Sequence, residues 1–136
     1  MTRAMALSCC LLASATPARA AEASEAAALQ AAEAWLKLID TGQYGASWDG
    51  ASSSFRKAVS RSTWEKKAAA AREPLGKVLE RKVSSQELTH ELPGAPDGTY
   101  VLLIFDTRFE HKERGHETVI MTLDDGRFRA ASYFIR

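Results

Sequence analysis

The densest apolar stretch of the chain, Thr99 to Phe109 (TYVLLIFDTRF), alternates in the manner of a β-strand. Its odd positions Val101, Leu103, Phe105 and Phe109 form an apolar row broken only by Thr107, while its even positions pass from Tyr100, Leu102 and Ile104 to Asp106 and Arg108. A strand inside a sheet, covered on both faces at one end and on one face at the other, has this pattern. Upstream the period is helical. Between Ser24 and about Asp40, the residues Ala28, Leu29, Ala32, Trp35, Leu36 and Ile39 fall in one arc of roughly 120°, the width of a core-facing stripe. Ser24 is the expected N-cap and Gly42 the expected stop. Shorter helical segments follow. Gln43–Gly50 carries Tyr44 and Trp48 on one face, and Ser52-Ser53-Ser54 caps a turn holding Phe55, Ala58 and Val59. Ser62-Thr-Trp-Glu65 reads as a capping box opening a helix from Thr63 to about Arg72, which Pro74 and Gly76 end.

After Gly76 the period falls to two. Lys77 to about Glu91 is a mostly polar strand with Ser84-Ser85 as a candidate bulge. The turn-rich Pro93–Gly98 leads into the central strand, and Glu110–Gly115 is a charged turn. A third strand, Glu117–Leu123, places Val119, Met121 and Leu123 on one face, and Asp124-Asp125-Gly126 is a tight hairpin before the last strand, Arg127–Ile135. Helices first and an antiparallel meander after them predict an α+β fold, with N-terminal helices packed on a curved four-stranded sheet.

Composition narrows the partners. With 46% hydrophobic and 26% charged residues the chain has an ordinary globular balance, and 136 residues make one domain. A formal net charge of +1 with no basic block argues against nucleic acid. The first twenty residues stand apart: Met1-Thr-Arg3 is a small positive start, Ala4–Ala15 is apolar apart from Ser8, Ser14 and the cysteine pair, and Ala18-Arg19-Ala20 has the small-x-small form of a signal-peptidase site. The expectation is a signal peptide over residues 1–20 and a single domain over 21–136, periplasmic or secreted. The apolar run is too short to leave a stable membrane span. Cleavage removes Arg3 and Arg19, taking the formal charge from +1 to −1, together with Cys9 and Cys10. Those cysteines fit a lipobox poorly, since Cys9 has Ala6 three positions before it and Cys10, which has Leu7, follows Ser8-Cys9. A mature chain without cysteine holds its fold by packing alone.

A set of spaced fragments then resembles a known family. Trp35-Leu-x-x-Ile-Asp40 with Tyr44 and Trp48, Pro74-Leu-Gly76, Arg81, Leu92-Pro-Gly-x-Pro-Asp-Gly98 with Tyr100, Glu117-Thr118 and Ser132-Tyr-Phe-Ile135 together resemble the small exported bacterial proteins of domain of unknown function 4019. Phe128 and Ser132 stand where that family's last strand has a tryptophan and a glycine. The resemblance implies an exported protein of unknown activity and brings no catalytic residues with it. The element order is also similar to the cone-shaped ketosteroid-isomerase-like superfamily, a scaffold of both enzymes and binding modules.

Candidate chemistry is sparse. His90, His111 and His116 lack metal-ligand spacing, no nucleophile elbow or phosphate loop is present, and no cofactor is implied. Tyr44, Trp48, Phe55 and Trp64 could form an aromatic box, although helical spacing favours a core role. Arg108–Arg114 reads as a solvated hairpin end; with Arg127 and Arg129 it is alternatively a basic face. Glu117 begins the row of Val119, Met121 and Leu123 and so points toward the core. It is a candidate general base, with Asp106 as second acid and Tyr44 as donor. The favoured reading is instead an ion pair with Arg81 or Arg108 at the sheet edge.

The resulting expectation is a non-catalytic binding or interaction module of the cell envelope, meeting an envelope protein or a small ligand. The alternative is a ketosteroid-isomerase-like enzyme with Glu117 as base. Intact-mass spectrometry of the protein from an envelope fraction is expected to show a chain starting at Ala21; a mass retaining Cys9 and Cys10 without lipid contradicts the signal reading.

Overall fold

Residues 14–136 are described by the computed structural model. Helix α1 runs Pro17–Asp40, followed by α2 (Tyr44–Asp49), α3 (Ser53–Ala58), α4 (Arg61–Arg72) and a 3₁₀ turn at Glu73–Leu75. The sheet follows as β1 (Val78–Thr89), β2 (Tyr100–Phe109), β3 (Lys112–Asp124) and β4 (Arg127–Ile135), antiparallel and in sequential order. Helices followed by a four-stranded antiparallel meander make this an α+β fold, as the periodicity predicts.

Helix α1 begins seven residues ahead of Ser24. Thr16 caps it by accepting the Arg19 N–H at 3.4 Å, and Pro17 occupies the first turn, where its missing N–H is no loss. The Ala-rich sequence between leaves nothing to interrupt the helix. The stripe is as read: Ala28, Ala32, Trp35, Leu36 and Ile39 are buried, Leu29 is half-buried, and Gly42 takes φ +74° just past the end. The expected capping box does not form: the N-cap of α4 lies two residues earlier, where Ser60 rather than Ser62 accepts the Thr63 N–H at 3.2 Å. Glu65 pairs with Arg61 one turn back. Ser52 caps α3 by accepting from the Phe55 N–H at 3.2 Å.

All three tryptophan N–H groups find acceptors inside the helical layer. Trp35 donates to the Ser47 carbonyl at 2.8 Å, Trp64 to Ser47 Oγ at 2.9 Å, and Trp48 to the Val59 carbonyl at 2.8 Å. Ser47, wholly buried, is thus the polar hub on which two indoles converge. Phe55 meets Trp64 edge-on with centroids 4.8 Å apart, and Trp35 stacks on Trp64 at 6.1 Å. The four-residue aromatic set is therefore packed into the core, with Phe55 and Trp64 buried and Tyr44 and Trp48 against its margin.

Register assigns each strand position to a face. The inner row holds Leu88–Val101–Met121–Ala130, then Gln86–Leu103–Val119–Tyr133, then Val83–Phe105–Glu117–Ile135, with Arg81–Thr107–Gly115 next. The helices cover this face, and Val101, Leu103, Phe105, Val119 and Met121 are at most 1% exposed. Leu123 shares it by parity but sits 47% exposed at the strand's end. The candidate bulge is present, with Ser84 skipped between Val83 and Ser85, and Asp125 and Gly126 turn the last hairpin with φ 53° and 75°. The β2–β3 turn is far tighter than Glu110–Gly115. Phe109 pairs with Lys112, so only Glu110 and His111 lie in the turn and β3 starts five residues before Glu117.

Leu36 is wholly buried in the α1 stripe. Truncating Leu36 to Ala is expected to cost about 2–5 kcal/mol. Denaturant melts showing a loss under about 1 kcal/mol would sink that assignment.

Candidate functional site

Glu117 lies at the middle of the inner face, wholly buried, with Phe105 and Ile135 beside it in register. The edge position expected for it is wrong: β3 is an interior strand and extends well past Glu117 on the hairpin side. A carboxylate placed there must be matched by donors, and it is. Oε1 accepts from Arg81 Nε at 2.8 Å and from Thr107 Oγ1 at 2.5 Å, and Oε2 accepts the Tyr133 hydroxyl. Arg81 is one of the two arginines anticipated for the pair. Arg108 instead sits on the opposite face, 4.0 Å from Glu80.

The cluster extends to the helices. Arg81 reaches Asp40 at the end of α1 in a two-pronged contact, with Nη1 to Oδ2 at 2.8 Å and Nη2 to Oδ1 at 3.0 Å. Arg72, from the end of α4 and only 4% exposed, brings Nη1 within 2.9 Å of Asp40 Oδ1, an ionic contact too bent for a hydrogen bond. Its guanidinium stacks over Phe109, 5.0 Å from the ring centroid. Gly115 makes this possible, because a Cβ there would meet Phe109 Cε2 at 2.8 Å. Two arginines and two carboxylates leave the cluster neutral. It ties α1, α4 and all four strands together.

Titration follows from these contacts. Burial alone pushes Asp40 up, but the hydrogen bonds and charge of Arg81, joined by Arg72, hold its carboxyl below the ordinary value of 3.8. Burial first, and then the charge and hydrogen bond of Glu117, push the Tyr133 hydroxyl far above its ordinary range, so it stays a neutral donor. Arg81 is raised despite its burial, because its bonds to Asp40 and Glu117 outweigh desolvation.

The three candidate residues are not brought together. Asp106 lies on the outer face, more than half exposed and paired with His116 Nδ1 at 2.8 Å. Tyr44 lines a surface cleft of about 270 Å³ with Asp40, Arg72, Lys77 and Glu110, and no hydrogen bond joins it to Glu117. Burial, followed by the nearby Glu73 charge, raises its hydroxyl pKa. Glu117 lines none of the four principal cavities. Four members of the cluster, Asp40, Arg72, Thr107 and Tyr133, were not anticipated. Thr107 carried a signal, as the single polar side chain in the apolar row of its strand.

Asp40 supports folding in a pH-dependent way. Its folded pKa is below its unfolded one, so its contribution is complete above about pH 5 and is lost as pH falls through the folded value. Denaturant melts of wild type and Asp40→Asn from about pH 7 to about pH 3 are expected to converge toward the acid end. Asp49 and Asp124, also lowered, contribute slope to both proteins alike. Parallel curves would contradict the assignment.

No curated protein and no solved structure matches the chain, so the likeness to the ketosteroid-isomerase-like cone rests on element order. The family model described as protein of unknown function (DUF4019) matches residues 31–133, from the middle of α1 to Tyr133 in β4. The chain belongs to that family.

Proposed function

We propose that this protein is a non-catalytic binding or interaction module of the cell envelope. The observation that carries the reading is the state of Glu117, the one fully buried acidic side chain among the described residues. Every oxygen of its carboxylate is occupied by a donor from Arg81, Thr107 or Tyr133, and none of its surface is exposed. A general base needs a free lone pair within reach of a substrate proton, in a space a substrate can enter. Here Trp35, Leu36, Phe105 and Val119 fill the volume between helix and sheet. The charged groups serve to register helices on strands, which leaves the outer surface for recognition. Export, on this reading, delivers the module to an envelope protein or a small ligand.

The alternative, an enzyme of the ketosteroid-isomerase-like type with Glu117 as base, is favoured by no specific contact. Glu117→Gln separates the two. A structural Glu117 loses the charge that balances Arg81, so the variant should be about 3 kcal/mol less stable, at the low end for breaking a buried pair because the amide oxygen still accepts. Envelope binding should survive in the folded fraction. An unpaired, desolvated base would instead make Gln neutral or stabilising, and that result in a denaturant melt overturns the proposal.

A further inference from the structure

The face of the sheet turned away from the helices carries its own pattern. By register its centre holds Leu102 and Ile104 of β2, Ile120 of β3 and Phe134 of β4. The first three are only half-buried and Phe134 is 39% exposed, because the helices pack on the alternate row. Thr118, Thr122 and Ser132 fill the positions between. The two margins differ in charge. β1 presents Glu80 and Glu87 with Lys82, whereas the β4 side presents Arg129 and Arg136, the latter 5.4 Å over the Phe134 ring.

We infer that two copies of this chain associate through this face as a reversible twofold dimer. A twofold axis parallel to the strands lays β1 of one copy over β4 of the other, and β2 over β3. That superposition sets Leu102 against Ile120 at the centre and Asp106 against His116. It also sets Arg129 opposite Thr89 and diagonal to Glu87 two positions along β1, within reach of both long side chains, each contact made twice, as a twofold requires. Two like-signed meetings arise, Lys82 with Arg136 and Arg108 with Arg114; Glu80, 3.2 Å from Lys82 and 4.0 Å from Arg108 within its own copy, relieves both, and Glu113 adjoins Arg114. Size agrees. Four strands about 4.8 Å apart over about 25 Å of length give a flat footprint of about 500 Å². Side-chain relief raises this toward the roughly 600–800 Å² per partner of the smaller stable interfaces, with the sheets crossing at about −30°. The face is small and mixed in polarity, which makes the dimer concentration-dependent rather than obligate.

Sedimentation velocity from about 5 µM to about 200 µM decides the matter, a span in which a Kd of tens of micromolar moves from mostly monomer to mostly dimer. The wild-type chain is expected to approach twice its monomer mass at the upper end. Ile120→Lys, with unchanged far-UV circular dichroism, should stay monomeric. A charge exchange guards against misfolding of that variant: Glu87→Arg and Arg129→Glu should each weaken association at least about tenfold, and the double variant should recover it. The two side chains lie three strand spacings apart within one copy, about 14 Å, so recovery reports a contact between copies. A wild type that stays monomeric at about 200 µM overturns the proposal and leaves the face to a different partner. So does an Ile120→Lys protein that dimerises normally, or a double variant as weak as its parents.

Discussion

A carboxylate in a dry core is tolerated only if the surrounding fold supplies its donors, and the placement of Glu117 makes that demand of this protein. The donors come from three different strands: Arg81 on β1, Thr107 on β2 and Tyr133 on β4, with Glu117 itself on β3. The sheet must therefore form in its full register before the charge is satisfied. Arg81 in turn needs an acid on its far side, and Asp40 at the end of α1 provides it. The helix is thereby fixed along the sheet as well as against it. The apolar stripe is less specific, since Ala28 and Ala32, one turn apart, present the same small methyl surface to their neighbours.

A second buried polar centre orders the helical layer. Ser47 accepts from Trp35 and Trp64 and donates from its hydroxyl to the Tyr44 carbonyl at 2.6 Å. Trp35 then links the two centres, meeting Tyr133 edge-on with centroids 5.5 Å apart. From Ser47 through Trp35 and Tyr133 to Glu117, Arg81 and Asp40 runs one contiguous path of partnered polar groups, each held by aromatic or aliphatic neighbours. Such a path costs stability wherever one member is removed, and it specifies one arrangement of helices on the sheet.

Most of the fold was legible because its signals are local. The α1 stripe, the alternation of β2, the Ser84 bulge and the Asp125-Gly126 hairpin each follow from neighbouring side chains. The displaced boundaries share a cause: Thr16 and Ser24, like Ser60 and Ser62, are competing caps on sequences equally able to extend a helix, and local pattern does not choose between them. For the candidate site, parity placed Glu117 in the core and named Arg81 as a partner. It could not show that the strand continues past Glu117 and so puts it far from any edge. Asp40, Arg72 and Tyr133 lie 77, 45 and 16 residues away in sequence from Glu117, and only the tertiary fold brings their heads together. Asp106 failed as a companion for a simple reason, since a residue one step from Phe105 faces the other side of the sheet.

The central claim is that Arg81 and Glu117 are structural partners, each needed because the other is buried. A double-mutant cycle on Arg81→Met and Glu117→Gln, read from denaturant melts at neutral pH, addresses it most directly. Each single substitution strands a charge in the core, whereas the double removes both, so the double variant should recover at least about 1 kcal/mol relative to the sum of the singles. Additive losses would contradict the account, because they would mean that neither side chain depends on the other for its place in the core.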